Sequence, residues 1–129
     1  MSEVRSLQIL WIAFAVTPLL FALIAFGGVL PAPPAGDPMM AATLGVLATL
    51  VGAFGLVGAP LVLKNMAAQP AYLVRFSCAE AIGVFGLVAH VSGASAPVVI
   101  AFLGISFGFT VIMRPTEEAY TRWELRRMM

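Results

Sequence analysis

The chain has 129 residues, of which 61% are hydrophobic and only 10% are charged. Soluble domains average about 25% charged residues, so this composition excludes a water-soluble globular protein. The formal net charge of +1 gives no electrostatic basis for binding nucleic acid. One cysteine, Cys78, and one histidine, His90, cannot supply the four ligands of a structural zinc site. We therefore expect neither a metal nor another cofactor.

Four long apolar runs predict the architecture. At about 1.5 Å per helical residue, each is long enough, or nearly so, to cross a hydrocarbon core about 30 Å thick. The runs lack the alternation of barrel strands, and a bilayer offers the backbone no water, so each run should be a helix. The sequence predicts one all-α domain over residues 1–129, a four-transmembrane-helix bundle. Its helices are expected at 7–30, 39–63, 71–91 and 97–113.

The first run should remain in the mature chain. This apolar stretch is 24 residues long, which exceeds the 7–15 residues of a cleavable signal-peptide core. Pro18 in its middle predicts a kink, and Trp11 suits the membrane–water interface. The proline-rich segment 31–38 that follows cannot be helical and should form an external turn.

The distribution of basic residues predicts the topology. Two of the loops, 31–38 and 92–96, contain no Lys or Arg. Basic residues concentrate on the cytoplasmic side of membrane proteins, so we expect both termini and the 64–75 loop to be cytoplasmic. The expected location is the plasma (inner) membrane of a bacterium. The seven basic residues, all consistent with this topology, are Arg5, Lys64, Arg75, Arg114, Arg122, Arg126 and Arg127.

Small residues predict close helix packing. Glycines let helix backbones approach one another in lipid, where packing rather than water exclusion drives association. A small chain with glycines on three helices is expected to meet copies of itself or other membrane subunits as well as the bilayer. The helix-packing candidates are Gly45, Gly52, Gly55, Gly58, Gly83, Gly86, Gly104 and Gly108.

The tail 115–129 has a different character. Acidic residues at its start and Arg126 and Arg127 at its end suit the dipole of a short cytoplasmic helix. Tyr120 and Trp123 should share one side, which predicts a helix on the membrane surface or against a partner subunit.

Glu80 is the leading functional candidate. It is the only acidic residue within the four apolar runs. A charged side chain in hydrocarbon costs roughly 2.5–3.5 kcal/mol on insertion scales, so an intramembrane acid usually has a function. Ser77 lies one turn earlier and could hydrogen-bond the carboxyl. Two interpretations stay open: an ion-binding carboxylate, or a structural residue that pairs with Lys64 or Arg75.

Residues 45–91 resemble the hairpin of the c subunit, or proteolipid, of rotary ATP synthases. The resemblance rests on a glycine-rich first helix, the loop sequence ending Gln69-Pro70, and Glu80 in the second helix. It implies that Glu80 and Ser77 form a proton- or ion-binding site and that Gln69 and Pro70 form a loop contact. Helices 1 and 4 have no counterpart in a single hairpin of that family.

Two hypotheses for function follow. The chain is either a c-type ion-carrying subunit of an oligomeric membrane complex or a non-catalytic accessory subunit. An enzyme is not expected, because the apolar runs hold no second acid, Ser-His pair or zinc cluster for intramembrane catalysis. The two hypotheses differ in whether Glu80 must ionise.

Overall fold

The computed structural model describes residues 2–31 and 33–129 and is all-α over these residues. Five helices follow one another, and none of the described residues lies in a strand. The prediction of an all-α fold is thus confirmed. We number the helices α1 Glu3–Phe26, α2 Pro38–Val62, α3 Ala68–Val91, α4 Ala96–Ile112 and α5 Glu117–Met128.

Polar side chains cap the starts of three helices. The Ser2 hydroxyl, the Asp37 carboxylate and the Thr116 hydroxyl each accept a hydrogen bond from a backbone N–H in the first turn, at 3.2, 2.9 and 3.1 Å. Such caps satisfy N–H groups that have no partner within the helix. The Ser2 cap is why α1 starts at Glu3 and not at residue 7, where the apolar run begins.

Two further boundaries differ from the prediction. α1 ends at Phe26, four residues before the end of its apolar run, and Gly28 then takes a left-handed conformation with φ 77°. α3 starts at Ala68, so Gln69 and Pro70 lie in its first turn and not in the loop. A proline is tolerated there because the N–H groups of the first turn have no helical partner.

α2 is interrupted by a π-helical segment. Its α-helical part Pro38–Ala53 is followed by π-helix Phe54–Gly58 and then by an α-helical turn, Ala59–Val62. The cause is Pro60, which has no N–H to donate. The N–H of Ala59 donates to the carbonyl of Phe54, five residues back, as in a π-helix.

α3 lies at the centre of the bundle. It packs against α1, α2 and α4, and its most extensive contact is with α4. Gly86 and Gly83 allow this approach: a Cβ added to Gly86 would lie 2.8 Å from the Cβ of Phe102. The buried Ser106 hydroxyl donates a 2.7 Å hydrogen bond from α4 to the carbonyl of Ala79. The α3–α4 pair is therefore the tightest unit of the fold.

Both ends of the described chain lie at one end of the bundle, together with the 63–67 loop. The Trp123 indole of α5 donates to the carbonyl of Met66 at 2.9 Å, and the Gln8 amide of α1 donates to the carbonyl of Pro115 at 3.2 Å. The Tyr120 hydroxyl also donates to the Glu3 carboxylate. We call this the inner end of the bundle.

The helices have the length and surface of membrane spans. α1, α2 and α3 are each long and apolar enough to cross a bilayer; α4 has 17 residues and bends by 74° into α5, and this pair would supply a fourth span. Large apolar side chains on the outside are widely exposed, for example Leu23 at 64%, Leu50 at 63% and Ile112 at 70%. A water-soluble protein rarely exposes so much contiguous apolar surface, whereas lipid tails cover it without cost.

Candidate functional site around Glu80

Glu80 lies halfway along α3. Ala68 and Val91 are twelve and eleven residues away, so the carboxylate is about 18 Å from one end of the helix and about 16 Å from the other. No other acidic residue lies in α1 beyond its first turn, in α2, in α3 or in α4. If α3 spans a bilayer, Glu80 sits near the middle of the hydrocarbon core.

Glu80 lies at the edge between the buried and the exposed side of α3. The α3 residues that pack against the neighbouring helices, including Ala79, Ile82 and Gly86, are buried. One turn from Glu80, Ser77 and Val84 are exposed whereas Phe76 and Gly83 are buried, and Glu80 itself is half-buried. The exposed side carries Ser77, Val84, Val88 and Val91, and we call these four residues together with Glu80 the outward stripe.

The structure does not join Ser77 to Glu80. The Ser77 hydroxyl donates to the carbonyl of Leu73, one turn back in its own helix, at 2.8 Å. Over residues 2–31 and 33–129, the Glu80 carboxylate has no hydrogen bond and no ion pair, and the two ion pairs in this part of the chain lie in α5. An ion-binding site made by Ser77 and Glu80 together would need the serine hydroxyl to turn away from Leu73.

Arg75 is not the partner of Glu80 either. Its guanidinium points toward α2, where Nε donates a 2.9 Å hydrogen bond to the carbonyl of Gly55. This carbonyl is free because the N–H of Ala59 is bonded to Phe54 and the next residue, Pro60, has no N–H. Arg75 thus satisfies a backbone group that the proline leaves without a helical partner.

The contact between Arg75 and α2 was missed by sequence reasoning, although the sequence held a signal for it. A proline inside a membrane helix frees a carbonyl, and an arginine in the next helix is a donor of suitable length. The Arg75 guanidinium also lies 5.7 Å from the centre of the Tyr72 ring, a cation–π distance. Cys78 packs closely against Gly55, because a Cβ added to Gly55 would lie 2.8 Å from the Cβ of Cys78.

The candidate packing glycines fall into three groups. Gly52, Gly55, Gly83 and Gly86 are buried, and an added Cβ would press on a residue of another helix. A Cβ on Gly58 would press only on Phe54 of the same helix. At the last three positions no described atom beyond the helix's own backbone lies within 4 Å of an added Cβ: Gly45, Gly104 and Gly108.

An open groove of about 590 Å³ separates α2 from α4. Gly45, Ala48, Ala101 and Ile105 are among the residues that line it, and its walls are almost wholly apolar. The groove holds no acid, histidine or cysteine, and no group of three potential metal ligands occurs among the described residues. Its apolar walls suit an apolar side chain or an acyl chain.

Hydrogen bonds between side chains and backbone groups at helix ends join the helices at the inner end of the bundle. The Trp11 indole donates a 2.6 Å hydrogen bond to the carbonyl of Thr110, in the last turn of α4. The Glu124 carboxylate of α5 accepts a 2.8 Å hydrogen bond from the backbone N–H of Ala68, at the start of α3. That N–H, together with the Arg127 guanidinium, holds the pKa of Glu124 below its usual value. The tail is therefore fixed to the bundle by specific polar contacts.

The Tyr120 hydroxyl is the second titratable group in these contacts. Its hydrogen bond to the Glu3 carboxylate raises the pKa of Tyr120 to about 12, because ionisation would remove the proton that is shared and place two negative charges together. At the opposite end of the bundle, His90 stacks edge-on against Phe26 at 5.5 Å and forms no ion pair with an acid that the structure describes.

Comparison of the chain with family models, with curated proteins and with solved structures found no match. The resemblance of residues 45–91 to the c subunit of rotary ATP synthases thus stays a hypothesis from the sequence. What the geometry adds is a single carboxylate at mid-helix, at the edge of the exposed side of α3.

Proposed function

We propose that this chain is an integral membrane protein of four spanning helices, with both termini in the cytoplasm of a bacterial cell. The support is geometric and electrostatic. Contacts through Trp123, Gln8 and Tyr120 bring both ends of the chain and the 63–67 loop to the inner end. The seven basic residues all lie near the N-terminus, in segment 64–75 or after α4, which are the parts of the chain expected on the cytoplasmic side.

Labelling of single cysteines tests this topology. Cys78 is the only cysteine, so a Cys78→Ser chain gives a clean background. Asn65→Cys in the inner loop should react with a membrane-impermeant maleimide only after the cells are opened. Ala35→Cys in the link between α1 and α2 should react in intact cells. The reverse pattern would contradict the orientation, and equal reaction of both would contradict a spanning bundle.

We propose further that Glu80 is a proton- or ion-binding carboxylate that acts where this chain meets another membrane chain. One observation carries the proposal: Glu80 lies at mid-helix on the outward stripe, and its carboxylate has no hydrogen bond or ion pair within the part of the chain that the structure describes. A charged carboxylate facing lipid is costly, so it must be neutralised by a proton or ion or meet a polar group of a neighbour. The side of α3 that faces the other helices is filled by buried side chains, including Phe76, Ala79 and Ile82.

The arrangement agrees with the c-type resemblance. α2 and α3 are consecutive and packed against each other, and Glu80 lies in the second helix of this pair. The small residues Gly52 and Gly55 lie in their contact. Gln69 and Pro70, the residues of the expected loop contact, lie at the inner end beside the docked tail. On this proposal the partner chain touches the outward stripe.

Reaction with a hydrophobic carbodiimide tests the ionisation of Glu80. Such reagents modify protonated carboxyls in lipid, so labelling of the intact chain should rise as the pH falls and should vanish in Glu80→Gln. Ser77→Ala is the matched control on the same stripe. Its hydroxyl is engaged with Leu73, so labelling should be unchanged. Absence of labelling at every pH would rule out a protonatable Glu80 in the membrane.

The second candidate function is that of a structural accessory subunit. The open positions Gly45, Gly104 and Gly108 favour it, because they offer close approach to a further helix that one chain does not supply. Glu80→Leu separates the two proposals. If Glu80 carries ions, the leucine variant should assemble normally and lose transport. If Glu80 is a structural hydrogen-bond partner, the variant should fail to assemble, since the partner's polar group is left unpaired at a cost of about 1–3 kcal/mol.

A further inference from the structure

The docked tail creates a basic cleft at the inner end of the bundle. The proposals on topology and on Glu80 assign no ligand to this cleft. Pro60 and Lys64 at the end of α2 form one side, and Trp123 and Arg126 of α5 form the other. The cleft exists only because α5 folds back over the inner end of the bundle. The hydrogen bond from Trp123 to Met66 and that from Ala68 to Glu124 fix α5 in this position.

The charge in the cleft is unbalanced. Lys64 and Arg126 have no carboxylate partner in the part of the chain that the structure describes. The acids closest to them along the tail are occupied, since Glu118 pairs with Arg122 at 3.0 Å and Glu124 pairs with Arg127 and the Ala68 N–H. The cleft therefore presents two free cations.

Further positive charge lies behind the cleft. The Arg75 guanidinium lies 5.7 Å from the centre of the Tyr72 ring, and the Tyr72 ring packs against Trp123 of the cleft with 6.3 Å between the ring centroids. Arg75 uses its Nε atom for Gly55, and its terminal nitrogens have no protein acceptor among the described residues. An anion in the cleft would thus be attracted by more than the two cations that line it.

The surroundings of the cleft distinguish a lipid from a free anion. Leu61 and Val62, next to Pro60 in the sequence, are 67% and 70% exposed and form an apolar surface on α2. A phosphate in the cleft would therefore have hydrocarbon-compatible surface directly beside it. On the proposed topology, Trp123 lies at the cytoplasmic end of the bundle, the level at which aromatic residues are enriched in membrane proteins.

We propose that the cleft of Pro60, Lys64, Trp123 and Arg126 binds the phosphate of an anionic phospholipid headgroup, whose acyl chain lies along Leu61 and Val62. Basic pockets on the cytoplasmic side of membrane helices bind such headgroups by charge. The site rests on the proposed membrane location, and it is independent of Glu80. It would hold the tail on the membrane surface while leaving its contacts to α3 intact.

Lipid titration of the intact chain tests the site. The full-length protein is placed in nanodiscs of phosphatidylcholine with increasing phosphatidylglycerol, and bound phosphatidylglycerol is counted by native mass spectrometry. Each basic residue near an anionic surface contributes about 1 kcal/mol, or roughly a fivefold change in affinity. Lys64→Gln and Arg126→Gln should each weaken phosphatidylglycerol binding about fivefold, and the double variant about 25-fold.

Arg5→Gln is the matched control, because it removes one exposed charge from the same end of the bundle and does not line the cleft. It should leave binding unchanged. An equal loss in Arg5→Gln would show general surface attraction and overturn the site. Full competition by inorganic phosphate would show a free-anion site and overturn the lipid assignment. A chain that fails to enter nanodiscs would refute the membrane location, whereas an inserted chain with no preference for phosphatidylglycerol would refute only this site.

Discussion

Gly86→Ala gives the sharpest test of the packing between α3 and α4. The added Cβ would lie 2.8 Å from the Cβ of Phe102, which belongs to a stiff part of that side chain. Carbon atoms pack at about 3.5–4.0 Å, so the two helices must separate by about 1 Å. Overpacking of this kind costs about 1–3 kcal/mol, and alanine returns up to about 1 kcal/mol through its higher helix propensity. We expect a net destabilisation of about 1–2 kcal/mol.

Gly104→Ala is the matched control. Gly104 lies on the exposed side of α4, and no atom comes within 4 Å of an added Cβ. The substitution should therefore be neutral or slightly stabilising. Both variants are compared by the fraction of dodecyl sulfate at which half of the helical circular dichroism is lost, in micelles that keep the chain monomeric.

Equal shifts of the dodecyl sulfate midpoint for Gly86→Ala and Gly104→Ala would refute the assignment of the buried side of α3 and the exposed side of α4. Gly104→Ala also tests the assembly of the chain into oligomers. If this variant leaves the monomer stable but abolishes an oligomer seen in gentle detergent, then the exposed side of α4 is a contact between chains.

Three other perturbations test the contacts described above. Because the pKa of Glu124 is lowered in the folded chain, its contribution to docking of the tail should be present above about pH 4.5 and be lost as the pH falls through its folded-state pKa. The amide shift of Ala68 in micelles reports this change, which Glu124→Gln should abolish. Trp11→Phe keeps the ring but removes the donor to the Thr110 carbonyl, and should lower the free energy of unfolding by about 0.5–1.5 kcal/mol. Ser106→Ala should cost only about 0.6 kcal/mol, the average for such bonds between membrane helices, and a loss of several kcal/mol would indicate wider repacking.

The sequence by itself determined the elements and their chemistry. Long apolar runs permit only helices once water is removed, and glycine, proline and polar caps decide where these helices begin and end. Local composition predicts the high helical content and the continuous α-helix α3. It also predicts that Glu80 lies near the middle of this helix. The boundary that failed at residue 71 did so because Pro70 suggested a loop, whereas a proline also fits the first turn of a helix.

Only the tertiary structure decided which face of each helix is buried. In a soluble protein the apolar side of a helix identifies the core, but α2 and α4 are apolar on every side and carry no such signal. Three features depend on shape and on backbone groups of distant residues: the place of Glu80 at the edge of the exposed side of α3, the bond from Arg75 to the Gly55 carbonyl, and the docking of Trp123. On the proposed membrane location, lipid would remove the hydrophobic preference between faces, and close packing and hydrogen bonds would then select the arrangement.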